Sequence, residues 1–141
     1  MSFVNFARTI VIDTGVLVSA AIRPQSVPAL ALERALLHYE VCASAATFEE
    51  LQTVLLRPKL DRYASLKIRQ AFVDGLRKHL TMLEVTQPII ERRDPNDDKF
   101  LALALAANAE LIVAINPHLM QMHPWRAIPI LPPAAFLVGA R

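Results

Sequence analysis

The feature that most constrains this chain is a pair of short runs, "TIVID" (9–13) and "ELIVAI" (110–115), rich in β-branched residues and apolar on both faces. Strands of this kind have no solvent side, so the sheet that holds them must be covered on both faces. Between the two runs the pattern changes to helical spacing. "VLVSAAI" (16–22) and "PALALERALLHY" (28–39) read as helices, the second with Pro28 in its first turn. "EVCAS" (40–44) reads as a second strand, and "ATFEELQTVLLR" (46–57) as a helix with apolar residues at 48, 51, 54 and 55. "SLKIRQAFVDGLRKHLTML" (65–83) reads as a longer amphipathic helix and "LEVTQ" (83–87) as a third strand. Residues 95–108 are expected as a helix that is apolar nearly all round, hence deeply buried. A weaker strand at 127–131 and a helical turn at 133–138 close the chain. Strands alternating with helices predict an α/β fold with a mainly parallel central sheet and right-handed crossovers.

A length of 141 residues predicts one domain, spanning 1–141, with a sizeable core. An apolar fraction of 54% and a mean hydropathy of +0.34 add the expectation of an apolar surface patch used for association. The net charge of +2 permits nucleic-acid binding without arguing for it. Cys42 is the single cysteine, which excludes an internal disulfide framework and a Cys-rich zinc site; a reducing cytoplasm is the expected compartment. No apolar run approaches the roughly 20 residues of a membrane span. Asp13 interrupts the apolar N-terminal stretch, so that stretch is expected to be mature structure, not a signal peptide.

In sheets of this class the site lies in the crevice beyond the carboxyl ends of the strands. Asp13 ends the first strand, Glu49 and Glu50 lie early in the helix after the second, and Asp94, Asp97 and Asp98 open the helix after the third. The acids thus gather at one sheet edge, while Arg8, Arg34, His38, Arg57, Lys59, Lys78 and His79 fall mostly at the other. Each acid has a local alternative. Asp13 can cap the helix that starts near Val16, and Glu50 can close a capping box with Thr47. Asp94 precedes Pro95 as an N-cap, and Asp97 suits the helix dipole. Asp98, one step further in, gains little from the helix end and is the one expected to serve a site. A converging set of Asp13, Glu50 and Asp98 repels itself unless a cation offsets it. Hard oxygen donors with no His or Cys nearby in sequence point to Mg²⁺ or Mn²⁺. Such sites usually serve phosphoryl chemistry. The "DTG" at 13–15 is also the aspartic-protease triplet, but it occurs once, in a helix-rich chain.

Four segments carry a family resemblance. "VIDTGVLVSA" resembles V-L-D-T-N-V-L-V-S-A, "FEELQTVLLRPKL" is similar to E-L-x-x-V-L-x-R-P-K, "RDPNDDKFLALALAANAELIVA" resembles R-D-P-D-D-D-K-F-L-x-L-A followed by A-D-x-I-V-T, and "ILPPAAFL" resembles the matching tail. In this order they resemble PIN-domain proteins from about Ile10 to Leu137, most closely the toxins of toxin–antitoxin systems akin to VapC-type ribonucleases. The resemblance implies a three-layer α/β/α sandwich and a metal-dependent endoribonuclease. It implies Mg²⁺ or Mn²⁺ in an acidic pocket, RNA as substrate, an antitoxin protein as partner, and a homodimer away from any membrane. Carried over, Asp13, Glu50 and Asp98 are the catalytic and metal-binding carboxylates, with Asp97 a neighbour that reaches the same pocket. The family's V-T-G-D ends in an acid where this chain has Asn116, a neutral oxygen donor, and Gly15 replaces the opening Asn. Ala114 and Ile115 replace the T-G pair. Expected substrate contacts are Thr14, beside Asp13, with Arg57 and Lys59 in "RPKLDRY" (57–63), which is otherwise an ordinary solvated loop. The departures leave a second expectation: a degenerate PIN domain with weak or no nuclease activity, binding RNA or protein. His118 and His123, in the proline-flanked loop beside Asn116, can approach the pocket, although a loop histidine is more often simply solvated; Trp125 is expected as a packing residue.

Overall fold

A computed structural model of the chain describes residues 8–90 and 95–139. Five parallel strands form one sheet in the order β3-β2-β1-β4-β5. They are β1 (Thr9–Ile12), β2 (Glu40–Ala43), β3 (Leu80–Met82), β4 (Leu111–Val113) and β5 (Ile130–Leu131). The helices are α1 (Thr14–Ile22), α2 (Val27–His38), α3 (Ala45–Leu55), α4 (Leu66–Arg77), α5 (Pro95–Ala106), α6 (Pro117–Met120) and α7 (Pro133–Gly139).

The period of two along each strand divides the core into two layers. Ile10, Ile12, Val41, Leu111 and Val113 point into one, where they meet α1 to α4 and Phe136 of α7. Val11, Cys42 and Ile112 point into the other, against Phe100, Leu101, Leu103 and Ala104 of α5 and Leu119 of α6. Trp125 joins this second layer as a packing residue. The result is the three-layer α/β/α sandwich, in which α5 carries most of one layer and is buried as its composition requires.

Serine hydroxyls start three of these helices. Ser26, Ser44 and Ser65 accept from the backbone N–H of Ala29, Thr47 and Ile68. At α3 the box is reciprocal, because the Ser44 N–H donates to the Thr47 hydroxyl at 3.0 Å. Thr47 is therefore the third helical residue and not the cap, which frees Glu50 from the capping role the sequence allowed.

Two expected elements are displaced. The helix expected over 65–83 stops at Arg77, and the third strand is Leu80–Met82, not 83–87. Its Leu80, Thr81 and Met82 pair with Val41, Cys42 and Ala43. As an edge strand, half-buried or exposed throughout, it lacks the two-faced apolar signature of β1 and β4. Its Leu80 instead extends the apolar spacing of the preceding helix. The expected Asp94 cap lies outside the described residues. No single helix among the described residues is long and apolar enough to cross a membrane; α1 and α2 qualify only as a pair bent by 110°.

One buried cation organises the segment after α3. The Arg69 side chain is fully buried. Its Nε donates to the Ala64 carbonyl at 3.0 Å, and its Nη1 to the carbonyls of Leu55 and of Arg57, the latter at 3.2 Å. Its Nη2 pairs with the Asp61 carboxylate. The guanidinium thus ties the end of α3 and the 3-10 turn Pro58–Arg62 to α4.

Candidate active site

The strand order reverses between β1 and β4. The chain winds outward from β1 to β2 and β3, then crosses back to β4 and β5. The crevice at the carboxyl ends of β1 and β4 is the topological switch point, where open α/β sheets bind ligands. A cavity of about 380 Å³ opens there, and Asp13, Glu50 and Asp97 are among the residues that line it. Phe100, Ile115 and Leu119 are among the residues of its apolar wall.

Asp13 is 2% exposed; it caps α1, as the local reading expected, and it also lines the cavity. Its Oδ1 accepts from the Val16 N–H at 2.9 Å; its Oδ2 accepts from Ile115 and Asn116 N–H at 3.1 and 3.2 Å. The carboxylate therefore fastens the start of α1 to the exit of β4. Burial raises its pKa above the ordinary 3.8; the backbone hydrogen bonds oppose this and the charge of Glu50 reinforces it. A raised folded-state pKa means that the folded chain holds this proton more tightly than the unfolded chain. The resulting stability is present below pH 3.8 and lost as pH rises through the raised value. In metal-free urea titrations across that window, Asp13→Asn should therefore gain stability relative to the unsubstituted chain as pH rises. A difference independent of pH would overturn this.

Glu50 comes from the middle of α3 and is held on both oxygens. The Thr14 hydroxyl donates to Oε2, and Lys99 Nζ donates to Oε1 at 2.9 Å. Thr14 lines the cavity beside it, so its first effect is to orient Glu50. Asp97 is 4% exposed and accepts from Asn116 Nδ2 at 3.0 Å. The Asn116 carbonyl oxygen accepts from the His118 N–H at 2.8 Å and so caps α6. Asn116 was expected to offer that oxygen to a cation. In the structure that oxygen accepts the His118 backbone N–H, and the amide presents its NH₂ to Asp97.

Asp98 does not line this cavity. It faces a neighbouring hollow with Ser44, Val85 and Ile89. The reason is helical phase. Asp97 shares a face of α5 with Phe100, Leu101 and Ala104, all buried, and Asp98 is rotated about 100° from it. Arg57 and Lys59 also lie outside the cavity lining. They follow the end of α3, with Arg57 about 10 Å of helix rise beyond Glu50. His118 lines the cavity, whereas His123 Nδ1 accepts from the Ile130 N–H at 2.8 Å and serves the fold.

Gly15 has a packing reason. A Cβ there would stand 2.8 Å from Ile115 Cγ1 and 3.0 Å from its Cδ1. Among the described residues no glycine has a positive φ, so conformational freedom is not what position 15 uses. The Ile115 side chain occupies the space a residue-15 side chain would take.

Three carboxylates on one cavity supply the hard oxygen donors a divalent cation needs. Each carboxylate oxygen has two lone pairs, so the hydrogen bonds to Asp13 leave it able to take a further ligand. In kind, then, the donors fit Mg²⁺ or Mn²⁺. As the side chains stand, Lys99 and the Asn116 amide face Glu50 and Asp97, and among the described residues no three His, Cys, Asp or Glu side chains are grouped to hold a metal ion.

A family model described as a PIN domain matches residues 9–118. The fold is similar to that of a chain in the crystal structure of VapBC2 from Rickettsia felis bound to a DNA fragment from their promoter. There the TM-score is 0.60 at 15% identity, covering 86% of this chain and 96% of that one. It is also similar to a chain in the DNA-bound VapBC structure from Salmonella typhimurium, with a TM-score of 0.61 at 14% identity, covering 89% and 98%. Among curated proteins no sequence match is found.

Proposed function

The chain belongs to the PIN-domain family, and on that premise we propose that it is a metal-dependent endoribonuclease, the toxin of a toxin–antitoxin pair. The observation that supports the reading is that Asp13, Glu50 and Asp97 all line one cavity at the switch point. These three would hold Mg²⁺ or Mn²⁺, which when bound would activate water and stabilise the departing oxygen of an RNA phosphodiester.

The chain's own residues set the rest of the chemistry. Asp13 is immobilised by three backbone N–H groups, so its position is fixed before any ligand arrives. Thr14 orients Glu50, and Asn116 orients Asp97. Arg57 and Lys59, exposed beyond α3, are proposed to meet RNA phosphates away from the cavity. Exposed Val27, Leu30 and Leu37 on α2, with Leu66 and Ile68 on α4, supply apolar surface for a second copy of the chain or an antitoxin. The expected setting is the cytoplasm.

The test incubates pure protein with RNA and Mn²⁺ or Mg²⁺, beside Asp13→Asn and a chelated sample. Cleavage should require both the metal and Asp13. Equal cleavage by the two proteins, or none by either, overturns the proposal. Glu50 and Asp97 are already satisfied by Lys99 and Asn116, and this favours a second reading: a PIN scaffold that binds RNA or protein without turnover. RNA retained but uncut would support it.

A further inference from the structure

The Glu50 carboxylate is held by a neutral hydroxyl, that of Thr14, and by a full positive charge, that of Lys99. Lys99 and Glu50 are each 25% exposed at the side chain, so their attraction is less screened than that of a surface pair. The lysine also borders the neighbouring hollow, of about 290 Å³, where Ser44, Val85, Ile89 and Asp98 stand. Glu50 lines the cavity and Lys99 lines the hollow, so the ion pair joins residues of the two spaces. A long flexible side chain in this position has somewhere else to go, into the hollow it already borders.

We propose that Lys99 is the resident counter-ion of the cavity, which a divalent cation must displace from Glu50 before that carboxylate can serve as a ligand. This rests on reading the cavity as a divalent-cation site. An ammonium and a divalent ion on one carboxylate repel each other, so the two compete, and the cation's apparent affinity falls by the fraction of molecules in which Lys99 holds Glu50. The chain carries its own brake on metal loading: Lys99 offsets the crowded acids while no metal is bound, and it opposes the metal when it comes.

The test is Mn²⁺ titration by calorimetry on the full chain, with no RNA present. Lys99→Met keeps the apolar stem and removes the charge, and should bind Mn²⁺ about tenfold more tightly than the unsubstituted chain. Lys99→Gln should do the same and stands in if the methionine variant folds poorly. In a Glu50→Gln background the gain should vanish, because there is no carboxylate left to contest. Equal affinity with and without Lys99 overturns this proposal and leaves the cavity a metal site. If no variant binds Mn²⁺, the metal-site reading itself falls and takes this proposal with it.

Discussion

Asp97→Asn is expected to reduce metal-dependent RNA cleavage by about 100-fold or more, whereas Asp98→Asn should change it by no more than about twofold. The two residues are adjacent and chemically identical, so the contrast isolates geometry. The Asp97 side chain is buried on the sheet-facing side of α5 and lines the cavity with Asp13 and Glu50. That of Asp98 belongs to the hollow across the Lys99–Glu50 pair. An asparagine at 97 keeps an oxygen for the Asn116 amide, so the local hydrogen bond can survive while the charge is lost. Cleavage rates and Mn²⁺ affinity should fall together in Asp97→Asn, with the thermal midpoint little changed. A loss in Asp98→Asn equal to that in Asp97→Asn would overturn the assignment.

The second large effect concerns stability. Arg69→Leu should lower the unfolding free energy by about 3–5 kcal/mol, the usual cost of breaking a buried charged network from one side. The leucine fills part of the space but leaves the carbonyls of Leu55, Arg57 and Ala64 without their donor. Asp61 contributes less to the loss, because its side chain is 64% exposed and water can replace the guanidinium there. Arg69→Lys restores the charge without the planar fork that reaches several acceptors, and should recover only part of the stability. Urea unfolding of the three proteins measures this. A loss of less than about 1 kcal/mol in Arg69→Leu would show the network to be dispensable.

Several elements were legible because their signal is local. "TIVID" and "ELIVAI" had to be buried strands, and β1 and β4 are the central pair where the cavity opens. The length and near-uniform apolarity of 95–108 required a buried helix, and α5 is one. β3 was misplaced because an edge strand's burial comes from one neighbour, Val41–Ala43, which is remote in sequence. Gly15 read as a lost side chain, but its cause is Ile115, also remote in sequence, which fills the space beside it. Arg69 carried no signal, since an arginine in an amphipathic helix usually faces water and its acceptors are carbonyls that any residue could supply.

The sequence by itself determined that the sheet would be parallel and covered on both faces, and that carboxylates would collect at one edge. Hydrophobic periodicity and strand-end acids act through nearest neighbours along the chain. Only the tertiary structure decided which carboxylates line one cavity. The docking of α5 against the sheet sets its rotation, and at about 100° per residue that rotation selects Asp97 over Asp98. The same docking brings Lys99 onto Glu50 and turns the Asn116 amide toward Asp97. Those contacts join residues far apart in the chain, and they determine how the cavity's charge is held.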